Sequence, residues 1–201
     1  MGKKTDRRES EPDALRLLIE GNARYVANEP RERDFSAGRA SRALGQAPFA
    51  AVLGCADSRV APELAFDQGP GDLFVVRVAG NVVMDGGLAS LEYGASVLRV
   101  KLILVLGHSG CGAVKATVTA LKEGNRLPGH IAGLVRAMKP GIAPVLNKSG
   151  DLESCAVEAN VRHNVDRLRR AGPILADLVE KGELAVVGGV YDLATGRVAF
   201  M

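Results

Sequence analysis

Apolar and polar residues follow two periods along the chain, and these periods predict its secondary structure. Short runs that are apolar on both faces predict buried parallel strands at Phe49–Gly54, Leu73–Val78, Leu102–Gly107 and Leu184–Val190. Helical spacing of apolar residues predicts helices between them, at residues 86–99, 110–123, 129–138, 152–171 and 173–181. This alternation predicts an α/β fold with a mostly parallel sheet of four strands flanked by helices. Arg197–Met201 is expected to add an edge strand.

The segments outside this alternation carry weaker patterns. Residues 1–10 are polar and are expected to be mobile, and residues 11–28 predict an N-terminal helical arm that packs on a neighbouring element or subunit. Arg31–Ala47 predicts a loop, and Pro140–Ser149 predicts a flexible surface loop. Because no repeat or linker interrupts the chain, residues 1–201 are predicted to form one domain.

Composition narrows the classes of function. Apolar residues make up 47% of the 201 residues and charged residues 24%, as in ordinary globular proteins. No apolar run approaches the roughly 20 residues that cross a bilayer, and the charged N-terminus lacks the apolar segment of a signal peptide. Three cysteines, an odd number, favour a reducing compartment over a disulfide framework. We therefore expect a cytoplasmic protein without a membrane partner.

The charge pattern gives little reason to expect a nucleic-acid partner. Formal net charge is +3, and the one basic cluster is formed by Arg162, Arg167, Arg169 and Arg170. These residues fall in a predicted helix, where a solvent-facing surface is the simpler explanation. Aromatic residues are 4% and tryptophan is absent, so few side chains are available for bases to stack on.

Two short motifs follow predicted strands directly and carry the candidate chemistry. Cys55-Ala-Asp-Ser-Arg59 follows the first strand, and His108-Ser-Gly-Cys111 follows the third. Open α/β sheets bind ligands at the carboxyl ends of their strands, so the position of both motifs favours a site. Two cysteines and one histidine form a ligand set that zinc most often takes, with a fourth position left for water. Buried cysteines and chance Cys–His pairs are the simpler alternative.

Other common active-site motifs do not fit. The stretch from Gly107 to Gly112 has the outer glycine spacing of a P-loop, but Ala113 and Val114 replace the lysine and hydroxyl residue that should follow. The chain also lacks a dinucleotide-binding glycine fingerprint after the first strand and a nucleophile elbow.

Asp57 and Arg59 stand beside a candidate metal ligand. Two thiolates largely cancel the charge of Zn²⁺, so such a site needs local help to acidify its water. Asp57 could accept a hydrogen bond from that water or bind the metal itself, and Arg59 could hold the carboxylate away through a bidentate pair. An ordinary surface ion pair is the alternative, and adjacency to Cys55 favours the functional interpretation.

The two motifs together resemble the signature of the β-class carbonic anhydrases, and the similarity runs from about Leu15 to about Val198. The resemblance implies a zinc-dependent enzyme of the bacterial type. Its reaction would be the reversible hydration of carbon dioxide to bicarbonate and a proton, with zinc-bound hydroxide as the nucleophile.

The resemblance also implies roles for the residues of both motifs. Cys55, His108 and Cys111 would bind zinc, and Asp57 would form a catalytic dyad with Arg59 or, as the alternative, bind zinc itself.

Further positions match residues that contact substrate in the family. The side-chain amide of Gln46 and the backbone N–H of Gly112 would meet the substrate, and Phe74 and Tyr93 would line an apolar CO₂ pocket. Part of that pocket comes from a partner subunit, so the resemblance implies a homo-oligomer, a dimer or an assembly of dimers. The N-terminal helix is expected to reach across the interface. For each pocket residue alone, core packing is the simpler interpretation.

One feature of part of the family is missing here. Some members hold a second, inhibitory bicarbonate beside zinc, using a tryptophan and an arginine. Arg77 matches the arginine, but Val52 occupies the tryptophan position. Losing the indole donor costs such a site roughly 1–3 kcal/mol, so we expect Asp57 to stay paired with Arg59.

Two other functions stay open at this point. Hydrolysis of a CO₂-like molecule such as carbon disulfide would use the same site, and only substrate access would distinguish it. A zinc-stabilised binding or assembly subunit without turnover would be expected to lack a zinc ligand, Asp57 or Arg59, and the chain has them all.

Overall fold

Five strands form one sheet in the computed structural model, which describes residues 10–125 and 127–201. The strands are β1 Ala50–Gly54, β2 Leu73–Arg77, β3 Leu102–His108, β4 Ala185–Tyr191 and β5 Val198–Phe200. Their order in the sheet is β2-β1-β3-β4-β5. The first four run parallel, and β5 pairs antiparallel with β4 at one edge. The prediction of a mostly parallel sheet with an added edge strand is confirmed.

Helices cover both faces of this sheet. In chain order they are α1 Glu11–Val26, α2 Arg39–Arg42, α3 Pro62–Ala65, α4 Asp85–Ser96, α5 Gly112–Glu123, α6 Ile131–Ile142, α7 Leu152–Arg169 and α8 Ile174–Glu180. Residues of α1 and α3 pack on one face, and residues of α4, α7 and α8 pack on the other. None of these helices has the length and apolar character that crossing a membrane requires.

The place of each strand in the sheet explains its burial. β1 and β3 lie in the centre, and every residue of both is buried. Val52 points into the core beneath α1, whereas its neighbour Leu53 points into the core beneath α7. β2 lies at an edge, where most of its residues are half-buried. Two helical layers therefore require central strands that are apolar on both faces, as the sequence pattern indicated.

The N-terminal arm packs on the sheet of its own chain. Ala14 and Leu18 of α1 are fully buried in one cluster with Val52 and Phe66. The helix begins after Ser10, whose side chain accepts a hydrogen bond from the backbone of Asp13. Ser10 is therefore part of the helix cap, and the rest of the segment predicted to be mobile, residues 1–9, lies outside the described residues. The reach of α1 to a partner subunit stays a prediction.

The predicted flexible loop at Pro140–Ser149 is wrong in its first half. Helix α6 continues through Pro140 to Ile142, and a 3₁₀ turn follows at residues 143–145. Ile142 and Val145 are buried, so apolar packing outweighs the hydrogen bond that a proline cannot donate. The predicted loop at Arg31–Ala47 also contains one helical turn, α2.

Two arginines of the basic cluster on α7 have structural partners. Arg167 donates to the carbonyl of Val83 at 2.7 Å, and Arg169 donates to the carbonyl of Val186 at 2.6 Å. Both residues are nevertheless exposed, so the prediction of a solvent-facing surface is confirmed for them, and their guanidinium groups also bind backbone carbonyls.

Candidate active site

The two cysteine motifs meet at the carboxyl edge of the sheet. β1 and β3 are neighbours in parallel register, so Cys55 and His108 leave adjacent strands at nearly the same level. Cys111 follows three residues later, at the position that caps α5. The sulfur atoms of Cys55 and Cys111 and a ring nitrogen of His108 all lie within 4.8 Å of one another. The fold thus brings together the three side chains that the sequence singled out.

The surroundings of His108 prepare one nitrogen for a ligand. The ring is fully buried, and Nδ1 lies 2.9 Å from the carbonyl oxygen of Ser109. A carbonyl only accepts, so Nδ1 carries the proton and Nε2 keeps its lone pair. Nε2 has no hydrogen-bond partner among the residues described. A buried polar atom without a hydrogen bond costs roughly 1–3 kcal/mol of folding free energy. A metal bound to Nε2 would offset this cost.

The donor set fits zinc. The ligand atoms span at most 4.8 Å, which is close to the size of one coordination sphere with zinc bonds of roughly 2.0–2.3 Å. The Cys111 thiol, the nearby His108 ring and the Gly80 N–H group lower the pKa of Cys55 despite its burial, whereas the contact with Cys55 raises the pKa of Cys111. Because cysteine binds zinc as the thiolate, a metal held by this cluster would take the place of the thiol protons.

Asp57 is held in a bidentate pair with Arg59. Its Oδ1 accepts from Arg59 Nε at 2.9 Å, and its Oδ2 accepts from Arg59 Nη2 at 2.8 Å. This pairing holds the pKa of Asp57 well below its usual range. Oδ2 also lies 3.9 Å from Nε2 of His108, so an ionised carboxylate stands at the edge of the ligand cluster. The bidentate pair that the sequence suggests for Asp57 and Arg59 is therefore present, and binding of Asp57 to a metal stays a prediction.

Arg77 fixes the turn that carries Cys55 and Asp57. It stands at the end of β2, where Nε donates to the carbonyl of Cys55 at 2.9 Å and Nη2 donates to the carbonyl of Asp57 at 2.7 Å. In the members of the family that hold a second bicarbonate, the arginine that matches Arg77 binds that anion. The structure instead uses its donors on the turn, and Val52 is packed in the core.

Two of the predicted substrate residues lie at opposite edges of the sheet. Gly112 follows Cys111 and begins α5, beside the ligand cluster. Gln46 is exposed in the loop that enters the amino end of β1, whereas Cys55 follows the carboxyl end. Five residues of β1 separate these ends, or roughly 16 Å.

Phe74 and Tyr93 form a pair that is also remote from the ligand cluster of their own chain. Their ring centroids lie 6.3 Å apart, and Tyr93 is 48% exposed on α4. Phe74 is three residues before Arg77, the last residue of β2, which places it roughly 10 Å below the carboxyl edge. The fold therefore does not bring this pair to the cluster within one chain.

A buried turn beside the cluster escaped the sequence analysis. The N–H of Gly80 donates to the sulfur of Cys55 at 3.3 Å. Helix α7 holds the turn through two fully buried residues, because Asn160 donates to the carbonyl of Gly80 and Asn164 accepts from the N–H of Val83, both at 2.8 Å. The signal in the sequence is a pair of asparagines four residues apart within an apolar helical stripe.

Comparisons with known proteins place this site in a family. The family model described as carbonic anhydrase matches residues 50–198. The chain is 44% identical over 187 residues to a carbonic anhydrase of Mycolicibacterium smegmatis, with 92% of this chain and 90% of the relative covered. It is 45% identical over 189 residues to carbonic anhydrase 2 of Mycobacterium tuberculosis, with 92% and 89% covered. A solved structure of Coccomyxa β-carbonic anhydrase in complex with acetazolamide aligns with a TM-score of 0.73 and 32% identity, covering 93% of this chain and 86% of that one.

Proposed function

The chain belongs to the β-class carbonic anhydrases, which hydrate carbon dioxide, and we propose that it does so at a zinc ion held by Cys55, His108 and Cys111. One observation carries this proposal. Three ligand atoms lie within 4.8 Å of one another in a buried cluster, and Nε2 of the histidine has no partner within the described part of the chain. Both features fit the three protein ligands of a catalytic zinc site.

Asp57 and Arg59 place an ionised carboxylate, paired with a guanidinium group, beside the ligand cluster. Zinc bound there would supply a Lewis acid that makes water nucleophilic near neutral pH. Asp57 stays ionised because Arg59 holds its pKa low, so its oxygens can accept a hydrogen bond from the attacking water and orient it. Arg59 donates one hydrogen bond to each carboxylate oxygen, so it would hold Asp57 away from a bound metal while a lone pair stays available for water.

Gly112 offers a donor for the product. Its N–H lies in the first turn of α5, where backbone N–H groups have no partner within the helix. The positive end of the helix dipole also favours an anion at this place. We propose that this N–H donates to the oxygens of CO₂ as they take on the charge of bicarbonate.

Gln46, Phe74 and Tyr93 can take part only if a second copy of the chain supplies them. They lie towards the amino edge of the sheet, away from the ligand cluster of their own chain. Leu44, two residues before Gln46, is 90% exposed, and Tyr93 is 48% exposed, which suits a surface covered by another subunit. We therefore propose a homo-oligomer in which this face of one copy completes the site of the next. Sedimentation that finds an active monomer at assay concentration would contradict it.

Stopped-flow measurement of CO₂ hydration tests the proposed reaction. Purified protein should carry close to one zinc per chain and hydrate CO₂, and a strong chelator should remove the zinc and the activity together. Added zinc should restore both. Carbon disulfide, assayed in parallel, should be turned over far more slowly than CO₂. Full activity without metal, or a zinc-loaded protein without CO₂ hydration, would contradict the proposal.

A further inference from the structure

A tight turn lies between the ligand cluster and helix α7, and we call residues 78–83 the cluster turn. Gly80 and Asn81 both adopt left-handed conformations in it, with φ of 76° and 42°. A side chain at Gly80 would be strained by this φ, and its Cβ would lie 2.5 Å from the sulfur of Met138. The backbone of Gly80 is therefore packed closely against α6, and its N–H donates to the sulfur of Cys55 at 3.3 Å.

Two side chains of α7 fix the position of Gly80 and of the turn's end. Asn160 donates from Nδ2 to the carbonyl of Gly80 at 2.8 Å. Asn164 donates from its own Nδ2 to Oδ1 of Asn160 at 3.2 Å, which fixes the direction in which the Asn160 amide faces. Oδ1 of Asn164 accepts from the N–H of Val83 at 2.8 Å. Both asparagines are fully buried, where amide groups are tolerated only when they are paired in this way.

The hydrogen bond to Cys55 affects how its sulfur would act on a metal. A thiolate that accepts a hydrogen bond from an N–H group donates less electron density to the metal. Hydrogen bonds to the ligands of a metal generally change its properties in this way. Two thiolates nearly neutralise Zn²⁺, so a weaker donation from one of them leaves the ion a stronger Lewis acid.

We propose that Asn160 is a positioning residue of the metal centre. By holding the carbonyl of Gly80, it keeps the N–H of the same residue on the sulfur of Cys55 and so sets the electron donation of that ligand. This inference rests on the proposed metal site and adds a residue on α7 that touches neither metal nor substrate.

Cobalt(II) provides the readout, because its sulfur-to-metal charge-transfer band reports electron density on the thiolates. In the cobalt-substituted protein, Asn160→Ala should move this band to longer wavelength. CO₂ hydration by the zinc form should fall about 10-fold with one zinc per chain retained, as is typical for residues behind metal ligands. Asn160→Ser, a smaller change that keeps a donor, should show a smaller shift in the same direction and serves if the alanine variant does not fold.

Asn22→Ala is the matched control. Asn22 is also a buried asparagine that bonds only to backbone groups, at Ala65, Gly196 and Val198 on the other face of the sheet. Its variant should lose stability but keep the band position and turnover of the unchanged protein. An unshifted band in both Asn160 variants, or an equal shift in Asn22→Ala, would overturn the role of Asn160. Failure of the unchanged protein to bind cobalt would instead refute the metal site.

Discussion

Buried polar side chains lie on both faces of the sheet, and the two regions differ in how completely they are paired. On the buried side of α1, Asn22 donates to two carbonyls and accepts from one N–H, at 2.8–2.9 Å. Asp67 in the same region pairs with Arg24 and Arg33 and also accepts from the N–H of Arg31. These contacts join segments far apart in the chain, since Asn22 reaches a residue 174 positions away.

The region on the other face, beside the ligand cluster, is paired incompletely. Each side-chain polar atom of Asn160 and Asn164 has a hydrogen-bond partner, but Nε2 of His108 and Nδ2 of Asn81 have none among the described residues. Natural proteins rarely leave buried donors or acceptors unpaired, and an unpaired one often indicates a functional role or a bound ion. We infer that the paired region stabilises the fold, whereas the unpaired nitrogen of His108 marks the place of a ligand.

The largest expected effect is loss of a sulfur ligand. Cys55→Ser and Cys111→Ser should each lose zinc and reduce turnover by far more than the roughly 10–100-fold typical of residues behind the ligands. The fold should persist because serine fits the space of cysteine. Elemental analysis, circular dichroism and stopped-flow assays check the three points. A serine variant with full zinc and unchanged turnover would contradict the proposed ligand set.

Removing the charge of Asp57 should have the next largest effect on activity. Asp57→Asn should keep zinc but lose roughly 100-fold in turnover, because the neutral amide oxygen is a weaker acceptor than an ionised carboxylate and cannot take up a proton. Arg59→Ala should also be impaired, since Asp57 would then be able to reach the metal. Metal content and CO₂ hydration are the measurements. Unchanged rates in both variants would make the pair a surface ion pair without a catalytic role.

Asp67→Asn tests the paired region and should affect stability instead of chemistry. Breaking this buried ion cluster should lower the free energy of unfolding by roughly 3 kcal/mol at pH 7, with turnover per folded chain unchanged. Burial raises the pKa of Asp67, but Arg33 and Arg24 outweigh burial and leave the pKa lowered. A carboxyl group whose pKa is lower in the folded than in the unfolded chain stabilises the fold at pH values above its unfolded pKa of about 4. This stabilisation is lost as the pH falls through the pKa of the folded chain.

Urea unfolding as a function of pH checks the sign of this linkage. The gap in stability between the unchanged protein and Asp67→Asn should be widest at neutral pH and should narrow below about pH 4. A gap that stays constant down to pH 3 would show that the charge of Asp67 is not what stabilises the region.

Tyr25→Phe should have the smallest effect of the set. Its hydroxyl lies 3.1 Å from that of Tyr191, and the ring contact would remain. Losing one partly buried hydrogen bond should cost about 1 kcal/mol, with no change in CO₂ hydration. Thermal unfolding and stopped-flow assays measure the two quantities. A change in turnover here would show that the two regions are coupled, against the comparison drawn above.

The sequence predicts the features that depend on neighbouring residues. Strands β1 and β3 are recognisable because their apolar runs match burial on both faces, and the ligands follow those strands directly. The sequence does not predict the end of α6, because Pro140 locally favours an end to the helix. Burial of Ile142 instead keeps the chain helical past the proline. Short helices such as α2 are too brief to have a period.

Contacts between distant segments account for the remaining omissions at the site. Asn160 meets Gly80 across 80 positions, and Arg77 meets the carbonyl of Cys55 across 22. Nothing in the local pattern of an asparagine or arginine tells which carbonyl it will reach. The displacement of Gln46 from the cluster is different, because the strand predicted between Gln46 and Cys55 already separates the two residues along the chain.

Zinc K-edge X-ray absorption on the active enzyme tests the central claim most directly, because it reads the ligand atoms around the metal. The account predicts two sulfur ligands at about 2.3 Å and nitrogen or oxygen ligands at about 2.0–2.2 Å. Cys55→Ser and Cys111→Ser should each remove sulfur from that shell or the metal with it. A first shell without sulfur in the active enzyme would contradict a zinc site built from Cys55, His108 and Cys111.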